Sequence, residues 1–315
     1  MSDLPTFEYS RNFYDNKVVP LIRSRFSEYE DRIAVGIAGE GSDCFGYDDF
    51  MSRDHDFGTG VCLWVTEEDM DRFGRLLAIA YNELIDQMPE NNLTDRLRAR
   101  RGVMTIDEFY SNLLGIKVDA SVCRISDEDW LKLDHSCLAT AVNGDVFRDD
   151  LGRFTAFREM LKNYYPDRIW RMRIADELHR FSSALQVNYA RCMTRGDDVA
   201  AHLCRSNGLD SAMQLFFLMK REYPPYYKWT FRRLTEIDKA GRFASLISRL
   251  ASSGINPDAW EGKQYSGDYL NLTDQTVFLT EEIALELAKM MRNHGLIDNT
   301  APYLEKHVNA VLKGI

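Results

Sequence analysis

The sequence contains no uninterrupted run of about 18 apolar residues, so no transmembrane helix is expected. Its N-terminus has no basic segment followed by an apolar stretch, and no secretory signal peptide is expected either. None of the six cysteines forms a C-x-x-C pair, and their spacing matches no zinc-binding pattern. Reduced thiols, a cytoplasmic location and no association with membranes are therefore expected.

The charge balance argues against some partners. Lys plus Arg is 39 and Asp plus Glu is 49, which gives a formal charge of −10. This charge disfavours duplex nucleic acid or an anionic membrane as the main partner, although a local basic patch could still bind nucleotide phosphates. Hydrophobic residues make up 45% of the chain and charged residues 28%, as in an ordinary globular protein. This composition excludes a disordered chain, a collagen-like repeat and a disulfide scaffold.

Short apolar runs alternate with helical patterns in the first half. The runs predict strands over 32–38, 60–65, 102–106 and 116–120. Helices are predicted over 7–30, with an interruption at Pro20, and from Thr66 to about 88. Thr66 and Ser126 are each followed by acidic residues, as at helix N-termini.

Long amphipathic segments dominate from Leu151 onward, and strand-like runs are nearly absent there. Helices are predicted over 151–164, 167–194, 197–221, 238–252, 280–294 and 300–313, with proline or glycine at several of the breaks. We therefore expect an α+β fold. It would consist of a small-sheet domain over 1–150, with an N-terminal helix, and an all-helical domain over 151–315.

The segment between the first two predicted strands carries the clearest chemistry. Gly41 and Ser42 follow a buried strand, where a glycine without a side chain lets backbone N–H groups approach phosphate oxygens. Ser42 adds a hydroxyl donor, and a helix that starts after it would add its positive dipole end.

Asp54 and Asp56 stand two residues apart before the second strand. On an extended chain both carboxylates would point to the same face, and such hard oxygen ligands suit Mg²⁺ or Mn²⁺. A metal pair held in this way can align a hydroxyl with an α-phosphate. Each part alone is common, in a solvated acidic loop or an ordinary turn. Their order between two strands predicts a nucleotide-binding metal site.

The run Gly41-Ser42-x-x-x-Gly46, followed by Asp54-His55-Asp56, resembles the G-S-x-x-x-G…D-x-D signature of the nucleotidyltransferase superfamily, the DNA polymerase β-like fold. The longer run from residue 41 to 58 looks most like the opening of a bacterial domain-of-unknown-function family that is grouped with these enzymes. Stretches at 104–109, 166–170 and 223–229 fit that family too. The resemblance thus spans roughly residues 30 to 235.

The resemblance implies a small mixed β-sheet with helices on one side, followed by a helical domain. It also implies that Asp54 and Asp56 bind the metal, and that Gly41 and Ser42 hold the triphosphate of an NTP, with ATP the first choice. His55 departs from the aliphatic residue that is usual between the carboxylates. Active members use a third carboxylate. Its candidates here are Asp119, on the strand predicted over 116–120, and Asp107, at a strand end. Asp119 ranks ahead, because Asp107 looks more like a helix N-cap.

A basic and aromatic cluster lies in the helical half. Pro224 and Pro225 end a predicted helix, and two tyrosines, Lys228 and Trp229 follow. Aromatic rings can stack on a base, and Lys228 is the best cation for a triphosphate contact. The alternative is that the aromatics pack between helices and the cations are solvated.

These features lead to three functional hypotheses. The first is a nucleotidyltransferase that moves an NMP from an NTP to a hydroxyl of a small molecule or protein, with Asp119 or Asp107 as general base. The acidic surface favours a small acceptor over nucleic acid. The second is a nucleotide-binding regulatory module of the same fold without turnover. The third is an interaction protein with a solvated acidic loop and no Mg²⁺-dependent NTP binding.

Overall fold

The structure is a computed structural model that describes residues 6–49, 60–88, 95–267 and 270–313. The chain divides into two compact units, Met1–Tyr164 and Tyr165–Ile315. A small mixed sheet lies in the first unit and the second is helical, which confirms the expected α+β class. The division falls 14 residues after the expected one (164 against 150), because the helix Arg153–Lys162 packs on the sheet through Phe154.

Four strands form one sheet in the described part of the first unit: β1 (Ala34–Ile37), β2 (Cys62–Val65), β3 (Gly102–Thr105) and β4 (Asp145–Arg148). Their order is β3-β2-β1-β4. β1 is antiparallel to both of its neighbours, whereas β2 and β3 are parallel. The predicted strand over 116–120 is wrong. The backbone N–H of Val118 donates to Ser111 Oγ and that of Ala120 to the Asp107 carboxylate, so no strand partner is engaged there.

The helices of the first unit are α1 (Thr6–Phe13), α2 (Val19–Arg25), α3 (Glu67–Asp69), α4 (Arg75–Asp86), α5 (Asp95–Arg100), α6 (Ile106–Leu114), α7 (Asp127–Lys132), α8 (His135–Ala141) and α9 (Arg153–Lys162). Tyr14–Val18 and Met70–Gly74 are π-helical, whereas Ser27–Arg32 and Asp43–Phe45 are 3₁₀-helical. Thr66 and Ser126 cap helices as predicted. The expectation that Asp107 caps a helix is wrong, since Thr105 accepts the N–H of Glu108 and caps α6.

Helices cover both faces of the sheet, and the one-sided arrangement implied by the resemblance is wrong. On one face Val35 and Leu63 join a buried cluster with Phe13 of α1, Ile22 of α2 and Leu77 of α4. On the other face the ring of Trp64 stacks on Phe154 of α9, with 3.7 Å between the centroids, and meets Phe109 of α6 edge-on. The second layer follows from the large apolar surface of Trp64, which must be removed from water.

The register brings the carboxyl end of β1 to the amino ends of its neighbours. Gly36 pairs with Cys62, Cys62 pairs with Gly102, and Ile37 pairs with Asp145. We call this side of the sheet, where β1 ends and β2, β3 and β4 begin, the turn edge. The Gly-Ser turn follows the end of β1 at this edge, and Val61, just before β2, lies at the same edge.

The second unit consists of α10 (Asp167–Phe181), α11 (Tyr189–Thr194), α12 (Asp198–Lys220), α13 (Tyr227–Ile237), α14 (Arg242–Ser252), α15 (Gln275–Asn293) and α16 (Val308–Leu312). A π-helical segment, Ser182–Asn188, joins α10 to α11, so the helical stretch predicted over 167–194 is confirmed. Pro257–Trp260 and Leu304–His307 are 3₁₀-helical. No helix in the described ranges is long and apolar enough to span a bilayer.

Side chains from other elements satisfy the helix ends of this unit. Near the end of α12, Trp170 Nε1 donates to the carbonyl of Leu218 (2.8 Å) and His294 Nε2 to that of Met219 (2.7 Å). At the start of α15, the Asp274 carboxylate accepts the Tyr189 hydroxyl (2.9 Å) and Trp260 Nε1 (2.6 Å), besides backbone N–H groups. Asp274, which is itself buried, therefore joins three elements of the unit.

Asp274→Ala is expected to lower the free energy of unfolding by about 2–4 kcal/mol, because several buried donors lose their acceptor together. Urea denaturation followed by tryptophan fluorescence measures this change. Asp258→Ala, at an exposed position of the same region, is the control and should change it by less than about 0.5 kcal/mol. Equal effects of the two substitutions would contradict the role given to Asp274.

Candidate functional site

The turn that follows β1 has a backbone that glycine alone adopts readily. Gly39 and Gly41 have φ angles of 104° and 128°. Ser42 then begins the 3₁₀ turn Asp43–Phe45, and its carbonyl accepts the N–H of Tyr47 at 2.8 Å. A helical turn thus does follow Ser42, but it is only three residues long and adds little dipole.

Asn143 holds the first residue of this turn. Gly39 N donates to Asn143 Oδ1 (2.9 Å), and Asn143 Nδ2 donates to the Gly39 carbonyl (2.8 Å). The Asn143 carbonyl in turn accepts Arg158 Nη1 at 2.6 Å. Next to it, Gly144 has a φ of 76°, and a Cβ there would overlap the carbonyl of Ile37. The entry to β4 and the exit from β1 are therefore fixed to each other.

Arg101 lies beneath the turn, with only 3% of its side chain exposed. Its Nη2 donates to Asp43 Oδ2 (2.8 Å) and its Nη1 to the carbonyl of Ala38 (3.3 Å). The Sγ atoms of Cys44 and Cys62 lie 3.1 Å and 3.9 Å from its nitrogens. Burial raises the pKa of both thiols above the ordinary cysteine range, so they stay neutral and Asp43 is the anionic partner of Arg101.

The neighbouring Arg100 forms an ion pair with Glu40, which stands between the two glycines of the turn. Two consecutive arginines, Arg100 at the end of α5 and Arg101 just before β3, thus meet two acidic residues of one turn. Although the chain has a formal charge of −10, two guanidinium groups therefore lie beside the turn, whose backbone N–H groups could bind an anion.

Gly41 and Ser42 differ in how the surrounding structure constrains them. A Cβ at Gly41 would overlap the Asp43 carboxylate, so the glycine protects the ion pair with Arg101 as well as any space for phosphate. Ser42 is half-buried, and its hydroxyl makes no capping hydrogen bond to the turn that it begins.

Asp54 and Asp56 lie outside the described residues. The chain returns to the sheet at Val61, whose N–H donates to the Tyr81 hydroxyl (2.9 Å) and whose carbonyl accepts from that hydroxyl (3.1 Å). Asp56 precedes the start of β2 by six residues (62 − 56 = 6). Within the described parts of the chain, no three His, Cys, Asp or Glu side chains are grouped to hold a metal ion.

The structure does not bring Asp119 to Gly41 and Ser42. Its carboxylate accepts the N–H and the hydroxyl of Ser121, and these hydrogen bonds lower its pKa. Asp107 accepts the N–H of Ala120 at 3.0 Å, and burial raises its pKa. Asp107 comes two residues after the end of β3, so the length of that strand, roughly 10 Å, separates its backbone from the turn edge. The hydrogen bond from Ala120 keeps the neighbouring Asp119 close to Asp107.

Asp145 is a carboxylate at the turn edge that the sequence did not single out. It is the first residue of β4, pairs in register with Ile37 and is exposed. Arg100, Arg101 and Asn143 were missed as well. Their signals were an Arg-Arg pair before an apolar run and an Asn-Gly pair before another, and neither signal names the partner across the sheet.

Lys228 lies in the second unit, in the first turn of α13. It is exposed, and its Nζ is 5.2 Å from the centroid of the Trp229 ring. Tyr226 and Tyr227 are 51% and 76% exposed, with 4.4 Å between their ring centroids. The alternative in which Tyr226 packs between helices is therefore wrong.

Comparison with known proteins gives one match. A family model described as "Domain of unknown function (DUF4037)" matches residues 130–230, about a third of the chain. The matched segment contains Asn143, Asp145, Arg158 and Lys228, and it begins after the Gly-Ser turn. No curated protein and no solved structure matches the chain significantly.

Arg101→Met is expected to destabilise the protein by about 3–5 kcal/mol, because it leaves the Asp43 carboxylate without its buried partner. Adding Asp43→Asn to that variant should cost much less than the sum of the two single changes. Chemical denaturation measures all three variants. Arg98→Met is the control, since its ion pair with Asp86 is exposed and should contribute less than about 1 kcal/mol. Additive losses would contradict the pairing.

Proposed function

We propose that the protein binds an NTP at the turn edge and transfers its nucleoside monophosphate to a hydroxyl of a small molecule or protein. The observation that carries the proposal is the turn itself. Of its two positive-φ glycines, Gly39 is braced by Asn143, and two arginines lie beside the turn. Pre-positioned backbone N–H groups and guanidinium groups favour an oligophosphate at such a place.

Each residue has a role in this proposal. Gly41 and Ser42 contact the phosphates through a backbone N–H and a hydroxyl. Asp54 and Asp56, which precede β2 in the sequence, would hold Mg²⁺ or Mn²⁺, and the metal would supply charge neutralisation for the phosphates. The acceptor oxygen forms a bond to the α-phosphorus, the bond to the bridging oxygen breaks, and pyrophosphate leaves.

Asp145 is a better-placed general base for the acceptor hydroxyl than Asp119. Asp145 is exposed at the turn edge, whereas Asp119 is next to Ala120, whose N–H donates to Asp107 beyond the other end of β3. The hydrogen bonds from Ser121 also lower the pKa of Asp119, which weakens it as a base. The formal charge of −10 still favours a small acceptor over nucleic acid, and ATP remains the first NTP to test.

The position of Asp107 and Asp119 favours a second candidate, a nucleotide-binding regulatory module without turnover. Such a module would bind Mg·NTP at the same turn but release no pyrophosphate. Nucleotide binding together with pyrophosphate release across a panel of hydroxyl acceptors separates the two candidates, since the regulatory module gives binding alone.

Ser42→Ala and Asp54→Asn are each expected to weaken Mg·ATP binding about tenfold or more, because each removes a ligand of the phosphates or of the metal. Isothermal titration calorimetry with the four NTPs measures the effect. Matched controls are Ser245→Ala and Asp71→Asn, both at exposed helical positions. Affinity for Mg·ATP that is the same in all five proteins would refute the site.

Lys228 is proposed as a ligand of the β- or γ-phosphate. Lys228→Ala should weaken NTP binding about 10- to 150-fold, and should weaken NMP binding much less because the monophosphate lacks those oxygens. Comparing the dissociation constants for ATP and AMP tests this, with the exposed Lys289→Ala as control. Equal losses for both nucleotides would remove Lys228 from the phosphate site.

A further inference from the structure

The two acidic side chains of the turn differ in how firmly they are held. The Arg101–Asp43 pair is interior, with side chains 3% and 20% exposed. In the Arg100–Glu40 pair the arginine is also largely buried, at 16%, but the Glu40 side chain is 56% exposed. Asp43 is therefore a fixed partner, whereas the carboxylate of Glu40 is exposed enough to move into water.

Glu40 occupies the place where an anion would be received. Its backbone lies between Gly39 and Gly41, and its carbonyl is 3.8 Å from Cys44 Sγ, so the main chain is held while the side chain reaches solvent. Its carboxylate engages a guanidinium group, whose planar donors suit a phosphate equally well. A negative charge on the turn also opposes the approach of any other anion.

We propose that Glu40 is an internal anion that occupies Arg100 until a phosphate-bearing ligand displaces it. The inference rests on the proposed function, since it concerns the same turn, and it adds a residue that sets affinity there. On binding, Arg100 exchanges a carboxylate for a phosphate oxygen, and Glu40 moves into water. Arg100 needs little rearrangement, because its side chain is largely buried at the end of α5, just before β3.

Calorimetric titration of Mg·ATP and of sodium tripolyphosphate into four proteins tests the exchange: the parent, Glu40→Gln, Arg100→Gln and the double variant. Glu40→Gln should tighten binding about two- to fivefold, the range of an exposed ion pair. Arg100→Gln should weaken it about tenfold or more. In the Arg100→Gln background, Glu40→Gln should no longer tighten binding, because no guanidinium remains to be released.

Glu83→Gln is the matched control, since Glu83 is 52% exposed and pairs with Arg25 on the helical layer. It should leave both affinities unchanged. Melting temperatures confirm that each variant is folded. If Arg100→Gln does not fold, Arg100→Lys keeps the charge but loses the planar fork, and should weaken tripolyphosphate binding several-fold.

The possible results separate the exchange from the proposed function. Unchanged or weaker binding by Glu40→Gln, in a parent that binds Mg·ATP, would overturn the exchange and leave the nucleotide site standing. A gain that persists undiminished without Arg100 would overturn it too, because simple charge repulsion would then explain the effect. A parent that binds neither ligand would refute the proposed function, and the exchange would be refuted with it.

Discussion

The buried charge of Arg101 is the constraint on which the first unit's turn depends. A guanidinium group does not lose its proton in a protein, so its burial requires an anion nearby. Asp43 supplies that anion, and the carbonyl of Ala38 accepts a second N–H. Gly41 must then lack a side chain, because a Cβ would overlap the Asp43 carboxylate. The conformation of the turn thus follows from one charge that the interior must neutralise.

Two further side chains fix the backbone at the points where regular strand pairing stops. Asn143 satisfies both backbone groups of Gly39 after β1, and the Tyr81 hydroxyl satisfies both backbone groups of Val61 before β2. Buried backbone groups without partners cost free energy, so each brace holds the chain where it leaves or enters the sheet. The segment between β1 and β2 is therefore anchored at both ends in one small region of the sheet edge.

The sequence predicts the elements of this unit better than their partners. The apolar runs at β1, β2 and β3 are short and buried, and periodicity suffices to find them. The run at 116–120 alternates instead, with Val118 and Ala120 buried and Asp119 exposed between them. Side chains of α6 and not a strand satisfy its backbone. Periodicity reports which residues face the interior. It does not report which group receives each N–H.

For the candidate site too, the sequence predicts the local turn but not the residues that contact it. Local spacing marks Gly41 and Ser42 as a turn that could meet phosphate, but Arg101 and Asn143 reach it from 58 residues (101 − 43 = 58) and 104 residues (143 − 39 = 104) away in the chain. No pattern within a short window can reveal such contacts. The strand order determines them, because it brings the starts of β3 and β4 to the end of β1.

This construction also explains why a match over residues 130–230 carries limited functional information. That segment contributes Asn143 and Arg158, which brace the turn, and Asp145, which stands beside it. The glycines, Ser42 and both arginines of the ion pairs come from other parts of the chain. When one edge of a sheet is built from separate segments, the residues that brace the turn and the residues that would contact a ligand can lie in different segments. The function must therefore be tested at the assembled edge, through residues of more than one segment.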